Sequence, residues 1–223
     1  MKNRALNAYW VCRKHDFFFK IMVCAAAWML SACAVLDKPV QAAVYDFGSG
    51  DLSSASPANR TARPLVLGDV DAPSALDNTG VMYRLAYADD QQLRPYALAR
   101  WSMPPAQLVR QHLRDRLNQS GVVLSAREAA ALGKSPAGGP LLLRLELEEF
   151  SQRFDDPQRS AGVIKLRAVL IETSAGAEKL LDQRVLVMQR PAPSPDAAGG
   201  VRAMKAATDA LADELNAWLK AWR

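Results

Sequence analysis

The chain has 223 residues, enough for one ordinary domain or two small ones. Half of its residues are hydrophobic and 23% are charged, the balance of a folded protein with a real core, which excludes the low-hydrophobicity, high-charge regime of disorder. The formal charge of +5 does not mark a nucleic-acid binder. Lys2, Arg4, Arg13, Lys14 and Lys20 oppose only Asp16 in the first 32 residues, a surplus of +4 that leaves +1 from Cys33 onward.

The N-terminus reads as three zones. Residues 1–20 carry scattered positive charge, residues 21–30 ("IMVCAAAWML") are uncharged and largely apolar, and small Ser31 and Ala32 then precede Cys33. This is the order of a secretory signal, and the apolar run is far shorter than the roughly 20 residues of a permanent spanning helix. Leu30-Ser31-Ala32-Cys33 is narrower still and resembles the lipobox of bacterial lipoproteins. That resemblance implies a signal peptide over 1–32, cleavage between Ala32 and Cys33, and a diacylglycerol and an N-acyl chain on Cys33, chains that together anchor where a single one binds only marginally. Ala34, in place of the Asp that retains enteric lipoproteins in the inner membrane, implies the outer membrane. Cys12, Cys24 and Cys33 are all the cysteines, so the chain beyond Cys33 holds no internal disulfide and no thiolate metal site.

Residues 33–64 read as the lipidated cysteine and a flexible tether. "KPVQAA" and "GSGDLSSASPANRTARP" are too poor in large apolar residues to pack, with a short edge strand expected at "VYDF". Residues 65–223 read as one globular domain. "LVLGDVDAP" is a strand ended by Pro73, and "VMYRLAY" another with Val81, Tyr83, Leu85 and Tyr87 on one face. Asp89-Asp90 is the expected turn, followed by extended "LRPYALARW". Ser102 is the expected N-cap of a helix with Pro104 and Pro105 in its first turn, an inner stripe of Val109, Leu113 and Leu117, and an end at Gly121.

"GVVL" is a short strand and "SPAGGP" a turn. Alternation in "LLLRLELEEF", "GVIKLRAVLIE" and "KLLDQRVLVMQ" predicts three long strands joined by short turns, an antiparallel meander. "PAPSPDAAGG" breaks the pattern, and a last helix over about 201–222 carries Val201, Met204, Thr208, Leu211, Leu215, Trp218 and Trp222 at steps of three and four. Its mixed Lys, Asp and Glu outer face favours packing on the sheet over membrane-surface binding. The fold class is therefore α+β: a mixed, mostly antiparallel sheet with two helices packed on one face.

Catalytic patterns are lacking. His112 is the lone histidine beyond the signal, within the first helix, and alone it makes no acid–base pair. There is no HExxH, CxxC, GxSxG or phosphate-binding loop, and Glu146 and Glu148 fall on the polar side of a strand. The expectation is a non-enzyme with no cofactor and no metal. What stands out is residues 81–105, which gather Tyr83, Tyr87, Tyr96 and Trp101 with Arg84, Arg94 and Arg100, the composition of binding hot spots and equally of aromatics capping a core beneath solvated arginines.

Ala72-Pro73, Leu76-Asp77, Tyr83-Arg84, Arg100-Trp101 and Pro104-Pro105, in this order and with the lipobox upstream, resemble the ABC-type transport auxiliary lipoproteins, the family of the paraquat-inducible operon's outer-membrane lipoprotein. The resemblance covers about residues 44–222. It implies a docking partner for an MCE-domain protein that bridges the periplasm to an inner-membrane ABC transporter or permease in lipid transport. It places the chain on the periplasmic, inner leaflet of the outer membrane. Tyr83, Arg84, Tyr96, Arg100 and Trp101 are the candidate partner-binding residues. A second reading is a lipid carrier or outer-membrane assembly chaperone, with Trp218, Leu219 and Trp222 lining an apolar cavity. Oligomeric state is left open, a homo-oligomer included.

Overall fold

The computed structural model describes residues 41–48, 63–131, 139–174 and 177–222, which apart from Gln41 belong to the compact unit Ala42–Arg223. The signal segment, the lipobox and Cys33 lie outside the described residues.

Among the described residues, eight strands form one mixed sheet: β1 (Ala43–Tyr45), β2 (Leu65–Asp71), β3 (Gly80–Leu85), β4 (Asp89–Trp101), β5 (Val123–Leu124), β6 (Leu141–Asp156), β7 (Arg159–Ser174) and β8 (Ala177–Pro191). Three helices accompany them among the described residues: α1 (Pro105–Asn118), the six-residue α2 (Ala126–Ala131) and α3 (Ala197–Leu219). The fold is α+β, with the expected meander β6–β7–β8 paired antiparallel along nearly its whole length. The long antiparallel ladders are joined by short parallel ones that strand order in the sequence does not reveal. β6 is central. β7 takes one of its edges, while β2 pairs parallel with residues 141–146 and β3 with residues 152–154. β1 pairs parallel with the end of β4, so β1 and β8 close the two sides of the sheet.

Alternation decides which face is covered. Leu141, Leu143, Leu145 and Leu147 on β6 and Ile164, Leu166, Ala168 and Leu170 on β7 point inward and are buried. α1 packs over β2 and β5 and α3 over β6 to β8, and the two helices touch, so they share this face. Leu113 and Leu117 of α1 and Met204, Leu211 and Leu215 of α3 complete the core. The intervening side chains, Arg144, Glu146, Glu148, Lys165 and Arg167, form the opposite face. There Arg167 meets Glu146 at 3.6 Å and Glu148 at 3.0 Å, and Lys165 meets Glu148 at 2.7 Å. These two cations hold the Glu148 carboxyl below its ordinary range.

Four local expectations are corrected. The β3–β4 turn is at Ala86–Ala88, where Ala88 N–H donates to Leu85 C=O at 2.9 Å, so Tyr87 is in the turn and Asp89-Asp90 already begin β4. The N-cap of α1 is Pro104 rather than Ser102, with Pro105 opening the helix and no side-chain cap. α3 starts four residues earlier than the stripe suggests, because Asp196 caps it, accepting from Gly199 N–H at 2.6 Å. "AAGG", read as a break, is its first turn. α2 was not expected at all; its "AREAAA" sequence is polar and too short to show a period.

The helices are tied by three polar contacts, each one turn further along both. His112 Nε2 meets Asp209 Oδ1 at 2.7 Å, Arg116 meets Asp213 at 2.5 Å, and Asn216 Nδ2 donates to Ser120 Oγ at 2.7 Å. The rising numbers on both helices mean that α1 and α3 run in the same direction.

Candidate partner-binding surface

The β3–β4 hairpin carries the five sequence-predicted contact residues, and the structure does not bring them onto one surface. Tyr83 lies beside Gln152 across the parallel β3–β6 ladder. Its ring stacks on Tyr96 at a centroid distance of 4.6 Å, with Phe154 edge-on at 6.2 Å. The Tyr96 hydroxyl donates to Gln152 Oε1 at 2.9 Å, and Gln152 Nε2 donates to Ser160 Oγ at 2.8 Å. Burial pushes the Tyr96 phenol well above its ordinary value. This half-buried tyrosine pair is on the helix-bearing face, near the start of α3, where Gln152 touches Gly200.

Arg84 points the other way. It forks onto Glu149, Nε to Oε1 at 3.2 Å and Nη2 to Oε2 at 2.9 Å, and its Nη1 reaches the carbonyls of Asp90 and Gln91. The hydrogen bonds it donates to Glu149 raise the Arg84 pKa further, against a smaller cost of burial. Arg153 and Ser151 complete a cleft of about 280 Å³ around this pair. The geometry is that of a bidentate guanidinium–carboxylate pair fixed on a flat sheet face.

Arg100 is the cross-strand neighbour of Val44 on β1. Its Nη1 donates to the carbonyls of Tyr96 at 2.6 Å and Ala99 at 2.9 Å, and it pairs with no carboxylate among the described residues. Trp101 is not a surface residue: it is 2% exposed, against Phe47 at 5.8 Å and Phe150 at 5.5 Å. Strand alternation sends it inward beside Ala99, and its indole Nε1 has no hydrogen-bond partner among the described residues. It supports the hairpin from below and offers a partner nothing to touch.

His112 is half-buried under Phe47 and lines a cleft of about 280 Å³ with Asp46, Met103 and Asp115. Burial lowers its pKa, outweighing the opposite pull of Asp209. Its side-chain polar contact among the described residues is the tie to Asp209 on α3, which is a packing role. Among the described residues no group of His, Cys, Asp and Glu is placed to hold a metal. Trp218 and Leu219 are 4% and 0% exposed and belong to the core, with the Trp218 indole donating to Asp182 at 2.7 Å. The residues that sequence reasoning missed are Gln152 and the glycines it packs near. Gly162 inside a strand was the available signal, since glycine there marks a close approach.

Comparison with known proteins agrees with this architecture. No curated protein matches the chain. Protein XCC0632 from Xanthomonas campestris shares the fold at a TM-score of 0.60 and 18% identity, over 79% of this chain and 94% of that one. A structure described only as that of an uncharacterized protein shares it at 0.57 and 17%, over 80% and 99%. A family model matches residues 45–216, from the end of β1 almost to the end of α3, and the chain thus belongs to the ABC-type transport auxiliary lipoprotein components.

Proposed function

We propose that this chain is a non-enzymatic docking component of an MCE-type ABC lipid transport system. Acyl chains on Cys33 hold it at the inner leaflet of the outer membrane, and it receives there the far end of a periplasmic MCE-domain bridge whose near end meets the inner-membrane transporter or permease. The observation that carries this reading is the family match across residues 45–216, on a chain whose lipobox-like Leu30–Cys33 lies upstream of a tether. The filled interior supports docking over carriage: the space between sheet and helices is occupied by leucines, Met204, Trp101 and Trp218, and a carrier or chaperone needs an apolar cavity there.

Tyr83 with Tyr96, and Arg84 with Glu149, present two separate candidate contacts on opposite faces of one hairpin. Aromatic and arginine side chains are favoured where partners bind. The test is recovery of partners from detergent-solubilised envelopes by a tagged chain. The wild type is expected to bring down an MCE-domain protein. Tyr83→Ala and Arg84→Ala, each checked for unaltered thermal unfolding, report which face is used by the loss of that partner. A well-expressed, lipidated chain that recovers no MCE-domain protein contradicts the proposal.

A further inference from the structure

Six large apolar side chains stand out as exposed among the described residues, and they divide by position. Leu180, Val185 and Val187 are on β8, while Val44 (67% exposed), Leu98 (52%) and Tyr87 (49%) are on β1, β4 and the β3–β4 turn at the other side of the sheet. Val44 is in register with Arg100, and Leu98 is on β4 just before that ladder, in the stretch between Pro95 and Arg100 where the strand's register against β3 shifts. An edge strand is ordinarily guarded by charge or proline. Here the first strand among the described residues shows an uncovered valine across from Arg100, whose guanidinium donates to the Tyr96 and Ala99 carbonyls and meets no carboxylate among the described residues, and β4 adds an uncovered leucine. Arg94, also on β4, has Gln92 as its partner and likewise no carboxylate.

This edge is where the chain arrives from its anchor. Nine residues lie between Cys33 and Ala43, so the ten steps from one to the other reach at most about 35 Å when fully extended. β8 is five inter-strand steps beyond β1, about 24 Å further from the entry point. A short tether therefore holds the β1–β4 edge at high effective concentration at the surface to which Cys33 is fixed, so a contact too weak to recruit a free protein is still populated. The chemistry of the edge is matched to a lipid surface, with small apolar side chains for the acyl boundary and a cation for anionic headgroups.

We infer that the β1–β4 edge, through Val44, Leu98 and Arg100, rests on the membrane that holds Cys33, and so turns the β8 edge and its apolar side chains away from the bilayer. The inference depends on the lipid-anchored reading above, and its test separates the two. Cys33 is the only cysteine left after cleavage of the signal, and its thiol is occupied by lipid, so an introduced cysteine is the only free one. The lipidated full chain carrying Val44→Cys, Leu98→Cys or Val185→Cys is labelled with an environment-sensitive dye. Each is then reconstituted in phosphatidylethanolamine–phosphatidylglycerol vesicles whose acyl chains carry a bromine quencher. Expected is a blue shift and loss of emission at 44 and 98, neither at 185, and weakening of the effect at 44 when Arg100→Glu is added. Chains that float with the vesicles yet show no quenching at 44 and 98, or equal quenching at all three positions, overturn the orientation and leave the anchor standing. Chains that do not float overturn the anchor and the orientation together.

Discussion

Gly162 sits where β7 passes under α3, and a Cβ built there falls 2.2 Å from Met204 N and 2.4 Å from the Ala203 carbonyl carbon. Backbone cannot step aside as a flexible side chain does, so strand and helix must separate. Gly162→Ala is expected to cost about 1–3 kcal/mol, read as a lower urea midpoint at unchanged slope. His112 gives a second residue-scale expectation. Its folded pKa lies below the ordinary 6.5, chiefly because burial disfavours the imidazolium, while Lys205 and Arg116 add repulsion and Asp209 opposes them. The unfolded chain therefore binds the proton more readily. The stabilisation is present in full above about pH 6.5 and is lost as pH falls through the folded value. Thermal midpoints are expected to drop between about pH 7 and pH 5, and His112→Gln, which keeps a donor for Asp209, flattens that part of the profile. An unchanged slope in the variant refutes the assignment. Trp101 and Gln152 show how far single residues were legible. Side-chain type alone made Trp101 a contact candidate, whereas its partners, Phe47 just after β1 and Phe150 on β6, are remote in sequence. Gln152 is 0% exposed because two hydrogen-bond partners meet it, and no local pattern announces either.

At the scale of elements, alternation and helical period carried most of the fold. The meander was readable because Leu143, Leu145 and Leu147 alternate with charges that also pair across strands, so face and register reinforce one another. Alternation fails inside β6, where the register shifts between Leu147 and Glu149. The extra residue moves the inward set from odd to even numbers, to Phe150, Gln152 and Phe154, which a strict period of two places outward. The start of α3 was misplaced for a related reason: Gly199 and Gly200 read as breakers, yet each is needed where the helix passes close to Ser194 and Gln152. Its cap was present in the sequence as Asp196. Asp196→Ala is expected to cost about 1 kcal/mol, visible as a lower thermal midpoint and faster amide exchange over the first turn of α3. The Asp196 carboxyl is held below its ordinary range by the Gly199 N–H and Ser194. The parallel ladders of β1, β2 and β3 were illegible, because nothing in a strand's own side chains names the distant strand beside it.

Among the described residues, the unit Ala42–Arg223 is a single sheet with one face covered by two tied helices and the other laced with ion pairs. Its interior is filled, and a domain of this kind works through its surfaces and edges. Its lipoprotein family gives the domain a place in the envelope and a transport system to serve. The flat ionic face, the tyrosine pair beside α3 and the β8 edge are the surfaces left for a bridge protein if the β1–β4 edge rests on the bilayer. The most direct test of the docking claim is binding between purified components. The lipidated chain is reconstituted in vesicles and titrated with a purified MCE-domain protein from the same envelope, and co-flotation is measured. Saturable co-flotation that is lost in empty vesicles, and weakened by Tyr83→Ala or Arg84→Ala, is the result the account predicts. A folded, vesicle-bound chain that leaves the MCE-domain protein unbound at every concentration contradicts it.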